Sequence, residues 1–131
     1  MIRLTWEEFR EMAQRMQKAP KYGNKRVELD GHVFDSAKEA RRYAELKTRL
    51  LAGEIHDLKL QEPYELIPEL RDENGKVVQR AVNYYADFTY LDNDGTGWAK
   101  VVEDVKGCKT DVYKLKRKIM RWKYGIEIME T

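Results

Sequence analysis

The chain has 131 residues, 42% hydrophobic and 37% charged. That is enough apolar material for one compact domain and well above the roughly 25% charge of an ordinary one. Its 25 basic and 23 acidic residues leave a net charge of only +2, with a mean hydropathy of -0.78. No stretch approaches the roughly 18 apolar residues of a membrane span. The start, MIRLTWEEFREMAQ, lacks the apolar run of a signal peptide. Cys108 is the only cysteine, which excludes an internal disulfide framework and a multi-cysteine zinc site. The expected setting is therefore a reducing cytoplasm with no membrane partner, and His32 and His56, lacking partners at metal-ligand spacing, read as surface or turn residues.

The charge is unevenly spread. Residues 1–26 carry seven Lys/Arg against three Asp/Glu, residues 27–100 carry ten against fifteen, and residues 101–131 carry eight against five. Both ends are basic and the middle is acidic.

In chain order, Thr5 and Glu8 form a T-x-x-E capping box that opens a helix running to about Lys18. Trp6, Phe9, Met12, Ala13 and Met16 make its apolar stripe, and Pro20 and Gly23 stop it. Residues 1–20 thus form an amphipathic N-terminal helix for docking or exchange between subunits, ahead of a main domain over 21–131. Residues 25–34 read as a hairpin turning at Asp30-Gly31. A second helix spans Ser36 to about Ala52, with Gly53 as its C-terminal signal. Extended segments follow at Ile55–Leu60 and Tyr64–Leu70, interrupted near Pro63. Asp72-Glu73-Asn74-Gly75 turns the chain into a long strand-like run, Val77–Leu91, and Asp92-Asn93-Asp94-Gly95 turns it again into a strand over Trp98–Val105. Thr110 caps a third helix that runs to about Tyr124 and ends at Gly125, and Ile126–Met129 is a short last strand. This order describes an α/β (α+β) domain with a mixed sheet.

Chemistry concentrates in the central strands. Asp87 interrupts the aromatic run Asn83-Tyr84-Tyr85-Ala86-Asp87-Phe88-Thr89-Tyr90. An acid in such a strand is costly to bury unless it is paired or binds a metal. On the next strand Val102, Asp104 and Lys106 alternate with Val101, Glu103 and Val105. Asp87 and Asp104 fall on neighbouring strands and are placed to sit side by side. Two carboxylates with a lysine two residues on suit metal-assisted phosphodiester cleavage, because carboxylates hold Mg²⁺ and an ammonium offsets charge building on phosphate. The bland alternative is an exposed Asp104–Lys106 ion pair.

Glu39 is the third acid. It completes S-x-x-E with Ser36, which makes it a capping residue, and it also heads the stripe Glu39, Tyr43, Leu46, Leu50 where the helix would meet the sheet. On the third helix Lys114, Arg117, Lys118 and Arg121 form a basic face opposite an apolar face of Val112, Leu115, Ile119 and Trp122. Such a face is either merely solvated or grips a phosphate backbone without reading sequence, and Lys21, Lys25 and Arg26, near the hairpin, are candidates to extend it.

Ser36-x-x-Glu39, Ala86-Asp87-Phe88 and Asp104-Val105-Lys106-Gly107 resemble the PD-(D/E)xK nuclease superfamily, in particular the phage endonuclease I type of Holliday-junction resolvase. Lys21-Tyr22-Gly23-Asn24, Phe34-Asp35-Ser36 and Glu103-Asp104-Val105-Lys106-Gly107 with Thr110 are similar to an uncharacterised family found in phages and prophages, over about residues 21–129. The resemblance implies a restriction-endonuclease-like core, a mixed β-sheet flanked by helices. It implies Glu39, Asp87 and Asp104 as metal ligands for Mg²⁺ or Mn²⁺, with Lys106 the catalytic lysine and Glu103 a substitute third ligand should a bulge exchange its facing with Asp104. It further implies branched duplex DNA as the substrate, a homodimer, and a bacterial host cytoplasm if the chain is phage-encoded. A non-catalytic nucleic-acid-binding module on the same scaffold is the alternative from another class. A sequence-specific restriction or nicking enzyme shares the site, but no separate recognition domain is visible in the chain.

Overall fold

A computed structural model describes residues 2–15, 26–106 and 108–131. The chain divides into two compact units, residues 1–55 and 56–131, each described by itself below.

In the first unit, strand β1 (Ile2–Leu4) pairs parallel with β2 (Val27–Leu29), which pairs antiparallel with β3 (His32–Phe34). β1 was not expected from sequence, since three residues are too few to show a period. Helix α1 (Trp6–Arg15) opens as expected, with the Glu8 amide donating to Thr5 Oγ1 at 3.2 Å. Phe9 is buried and Trp6 half-buried, whereas the side chains of Met12, Ala13 and Met16 lie outside what is described. The β2–β3 turn uses a left-handed Asp30 (φ 56°) followed by Gly31 (φ 80°), the conformation that Asp-Gly accepts most readily. Helix α2 (Ala37–Leu51) is capped by Ser36 Oγ, which accepts from the Glu39 amide at 3.2 Å. Ala37, Ala40, Tyr43 and Leu46 are its buried residues, and Phe9, Val27, Leu29, Phe34 and Ile55 are the other buried side chains described in this unit.

The second unit is built on a four-stranded mixed sheet in the order β4-β7-β8-β9. β4 (Ile55–Ile67) runs straight through Pro63, correcting the expected break there. Left-handed residues at Asp57 and Gln61 (φ 58° and 53°) absorb the irregularity without ending the strand. The run expected as one strand over Val77–Leu91 is two: β6 (Val77–Gln79), which pairs with β5 (Leu70–Arg71) in a separate two-stranded ribbon, and β7 (Val82–Asn93). β7 pairs antiparallel with β8 (Trp98–Asp104) from Phe88↔Glu103 to Asn93↔Trp98, and β8 pairs parallel with β9 (Met129–Glu130). The antiparallel and parallel pairs together make the sheet mixed, so the chain is of the α/β (α+β) class with an N-terminal helix.

Helix α3 (Asp111–Tyr124) is capped at both ends as expected: Thr110 Oγ1 accepts from the Tyr113 amide at 3.1 Å, and left-handed Gly125 ends it. Its buried face, however, is Tyr113 and Met120, which join Leu66, Tyr84, Ala86, Val102 and Ile128 in the core. The expected apolar face is corrected accordingly. Val112, Leu115 and Trp122 are 64, 59 and 82% exposed, and only Ile119 packs partly inward. Both stripes have helical period, and Tyr113 wins because its ring fills the space beside Tyr84 while the Lys116 amine reaches the Asn83 carbonyl at 2.9 Å. No helix among the described residues is long and apolar enough to cross a membrane.

Candidate active site

The chemistry-bearing residues of the second unit collect where β7 and β8 part. The β7–β8 register, extended one step beyond Phe88↔Glu103, sets Asp87 opposite Asp104. Asp87 is held by two donors on different elements. The Val105 amide, just past the end of β8, donates to its Oδ2 at 2.8 Å, and the Gln61 side-chain amide on β4 donates to its Oδ1 at 3.1 Å. Even so, burial pushes its pKa up to about 6, and the neighbouring Asp104 carboxylate adds to the rise.

Asp104 is almost wholly buried. The Tyr84 hydroxyl donates to its Oδ2 at 2.6 Å, and Lys106 Nζ stands 3.1 Å from its Oδ1. That second contact is an ion pair by distance, yet Oδ1 receives no aligned hydrogen bond and is sealed from solvent. A buried carboxylate oxygen with a charge beside it but no directed donor is an acceptor still short of a partner. Burial and the Asp104 contact push the Tyr84 phenol far above its ordinary range, so it stays a donor at any ordinary pH. Lys106 is half-buried, with its ammonium 4.4 Å from the centre of the Tyr113 ring. The ring is fixed by the first turn of α3, so the cap at Thr110 indirectly sets where the lysine ends. The backbone beneath is pinned as well: the Lys106 amide donates to the Thr131 carbonyl and the Thr131 amide to the Asp104 carbonyl, at 3.1 and 3.0 Å.

Glu103 does not share this cluster. It is fully buried, facing Phe88 across the ladder, and its carboxylate accepts from the Tyr90 hydroxyl at 2.8 Å and Thr131 Oγ1 at 3.1 Å. Strict alternation over this stretch gives Asp104, not Glu103, the position beside Asp87.

Of the expected residues, then, Asp87, Asp104 and Lys106 come together. Glu39 lies in the first unit, in the opening turn of α2, with its amide engaged by the Ser36 cap. Among the described residues no group of three or more His, Cys, Asp or Glu side chains is placed to hold a metal ion, so the second unit offers a pair of carboxylates and not a triad. Lys21 and Lys25 lie outside the described residues. On α3, Lys114 and Lys118 are exposed, while Arg117 pairs with Glu130 at 2.9 Å and Arg121 with Glu127 at 3.0 Å. A shallow cavity of about 360 Å³ between α3 and the chain end is lined by Arg117, Lys118 and Arg121 together with those two glutamates. The basic face is thus half-neutralised by its own neighbours.

Three contributors escape the sequence reading: Gln61, Tyr84 and Tyr113. Tyr84 was visible only as a strand aromatic, and Tyr113 sat one residue away from the favoured stripe. Gln61 carries the clearest structural mark, since a left-handed φ at a residue that is neither Gly, Asn nor Asp is uncommon and often belongs to a site.

The pair of carboxylates fits a hard divalent cation. Mg²⁺ is commonly held by one or two carboxylates, with waters and substrate phosphates completing its octahedron. Asp104 Oδ1 is the acceptor such an ion would satisfy. Searches of curated proteins and of solved structures return no match. A family model described as "Protein of unknown function (DUF1064)" does match, over residues 19–129, and the chain belongs to that family.

Proposed function

We propose that the chain is a metal-dependent endodeoxyribonuclease that hydrolyses phosphodiester bonds, with branched duplex DNA as the preferred substrate. The observation that carries this reading is the meeting of Asp87, Asp104 and Lys106 at one strand end, with Asp104 buried and one of its oxygens short of a hydrogen bond. A solvated surface ion pair would not be built this way, because burying the Asp104 carboxylate beside half-buried Asp87 and Lys106 is expensive without a purpose.

Hydrolysis adds water across a P–O ester bond. The water oxygen bonds to phosphorus, the ester oxygen leaves with a proton, and the water gives up one. A bound Mg²⁺ or Mn²⁺ would supply a more acidic water and charge to stabilise the pentavalent phosphorus. Asp87 and Asp104 are the residues that would hold that ion. Gln61 and the Val105 amide keep the Asp87 carboxylate aimed, and the Tyr84 hydroxyl does the same for Asp104. Lys106 has a four-carbon stem that lets its ammonium move from Asp104 towards a phosphate oxygen, where it offsets the growing negative charge. The exposed Lys114 and Lys118 add sequence-independent attraction for the backbone. Glu39 is proposed as a third carboxylate on the strength of the resemblance alone.

The test is a substrate panel: four-way junction, flap, linear duplex and single-stranded DNA, each incubated with the wild-type chain and Mg²⁺, Mn²⁺ or EDTA. Metal-dependent cutting, strongest on branched forms, is expected. No cutting of any form with either metal would leave only the alternative, a binding module on the same scaffold.

A further inference from the structure

Gln61 and Glu62 are consecutive on β4, yet both reach side chains of β7. Gln61 donates its side-chain amide to Asp87 Oδ1 at 3.1 Å, and Glu62 Oε2 accepts from the Thr89 hydroxyl. Asp87 and Thr89 are two apart on β7 and so share a face, whereas consecutive residues of a regular strand point to opposite faces. The left-handed backbone at Gln61 (φ 53°) resolves this, because it breaks the alternation and lets both neighbours turn to one face. Such a conformation is unfavourable for glutamine and persists only where its surroundings over-determine it.

The next residue supplies that constraint. Thr89 is buried, so its hydroxyl cannot exchange Glu62 for water. The other Glu62 oxygen, Oε1, accepts from Lys100 Nζ on β8 at 3.0 Å, and that ammonium also lies 5.7 Å from the centre of the Tyr64 ring. Glu62 therefore ties β4 to both strands that carry the Asp87–Asp104 pair, two residues along β7 from Asp87. With both oxygens engaged it is a tie and not a third metal ligand. A tie placed for stability alone has no need of a left-handed glutamine beside it; one that aims an amide does.

We propose that Glu62 is a positioning residue: anchored by Thr89 and Lys100, it fixes left-handed Gln61 so that the glutamine amide stays on Asp87 and keeps that carboxylate aimed. The consequence for metal binding rests on the nuclease reading; the positioning itself does not. The test uses two variants of unchanged shape: Thr89→Val, which removes the hydroxyl, and Glu62→Gln, which leaves one acceptor for two donors. In metal-free proton–nitrogen correlation spectra, the wild-type Gln61 side-chain amide signal is expected to differ from that of Asp87→Ala. In both variants it is expected to move most of the way to the Asp87→Ala position. Mn²⁺ affinity, measured by titration calorimetry, is expected to drop about tenfold in Gln61→Ala and at least about threefold in Thr89→Val. Combined with Gln61→Ala, Thr89→Val is expected to add no further loss, because it acts through the glutamine. A Gln61 signal unmoved by Thr89→Val and Glu62→Gln overturns the proposal, as do losses of affinity that multiply in the double variant. Should both variants fail to fold, Lys100→Met at its exposed position is read by the same signal, with the same expectation. A wild type that binds no Mn²⁺ contradicts the nuclease reading alone, since the spectral result still decides the positioning.

Discussion

Asp87 shows how one residue carries both a cost and a use. Its carboxyl titrates near 6 because burial outweighs the two hydrogen bonds it accepts. The native state therefore binds more protons than the unfolded chain between about pH 4 and 6, and stability falls as pH rises through that window. Above it the charged, half-buried carboxylate is a standing penalty. Asp87→Asn is expected to raise stability at pH 7.5 in EDTA by something on the order of 1–3 kcal/mol, with little effect at pH 4. The Val105 amide keeps an acceptor in that variant, and Gln61 can turn its own amide to suit. Thermal melts at the two pH values check this, and a destabilised variant at pH 7.5 would contradict it. Tyr84→Phe has the opposite sign. It strips the buried Asp104 of its directed donor, so a loss of about 1–3 kcal/mol is expected in urea denaturation. Asp30 behaves conventionally. The Lys47 ammonium and then the Tyr43 hydroxyl, both hydrogen-bonded to it, hold its carboxyl below the usual range. Its contribution is present above the unfolded carboxyl's pKa and is lost as pH falls through the lowered one. The acid limb of the stability profile should flatten in Asp30→Asn.

At the scale of elements, α3 is the sharpest case. Its ends were legible because Thr110 and Gly125 are chemical statements about which backbone groups need partners. Its inward face was not, because two stripes share the same period and the larger count of aliphatics lies on the solvent side. What decides is the partner surface, where Tyr84, Leu66 and Ile128 leave room for Tyr113 and Met120. Met120→Ala is expected to cost about 2–5 kcal/mol, and Trp122→Ala to change stability by less than about 0.5 kcal/mol. Equal losses in paired denaturation curves would mean that the helix is turned the other way. β4 makes a related point. Proline signals a break when the strand is read alone, but exposed Pro63 sits in a strand that tolerates left-handed residues nearby. The hairpin at Asp30-Gly31 and the turn at Asp72–Gly75 were plain, since their geometry is local. The Asp72 carboxylate accepts from the Asn74 and Lys76 amides at 2.9 Å, closing that turn with its own side chain.

For the whole molecule, near-neutrality conceals a sorting of charge. Asp104 is buried and Asp87 half-buried at a strand end, and part of the basic helix face is paired with Glu127 and Glu130. The pairing of Asp87 with Asp104 and Lys106 was readable because a strand alternates and the two strands are neighbours. The supporting Gln61 was not, since nothing local says which residue of a distant strand will reach a carboxylate 26 positions away. The measurement that bears most directly on the proposed activity is the single-turnover rate of four-way-junction cutting in Mn²⁺ by wild type, Asp87→Asn and Lys106→Ala. Both variants are expected to fall by roughly 10²-fold or more, with Asp87→Asn at least as stable as wild type. Cutting by folded Asp87→Asn and Lys106→Ala at the wild-type rate would contradict it.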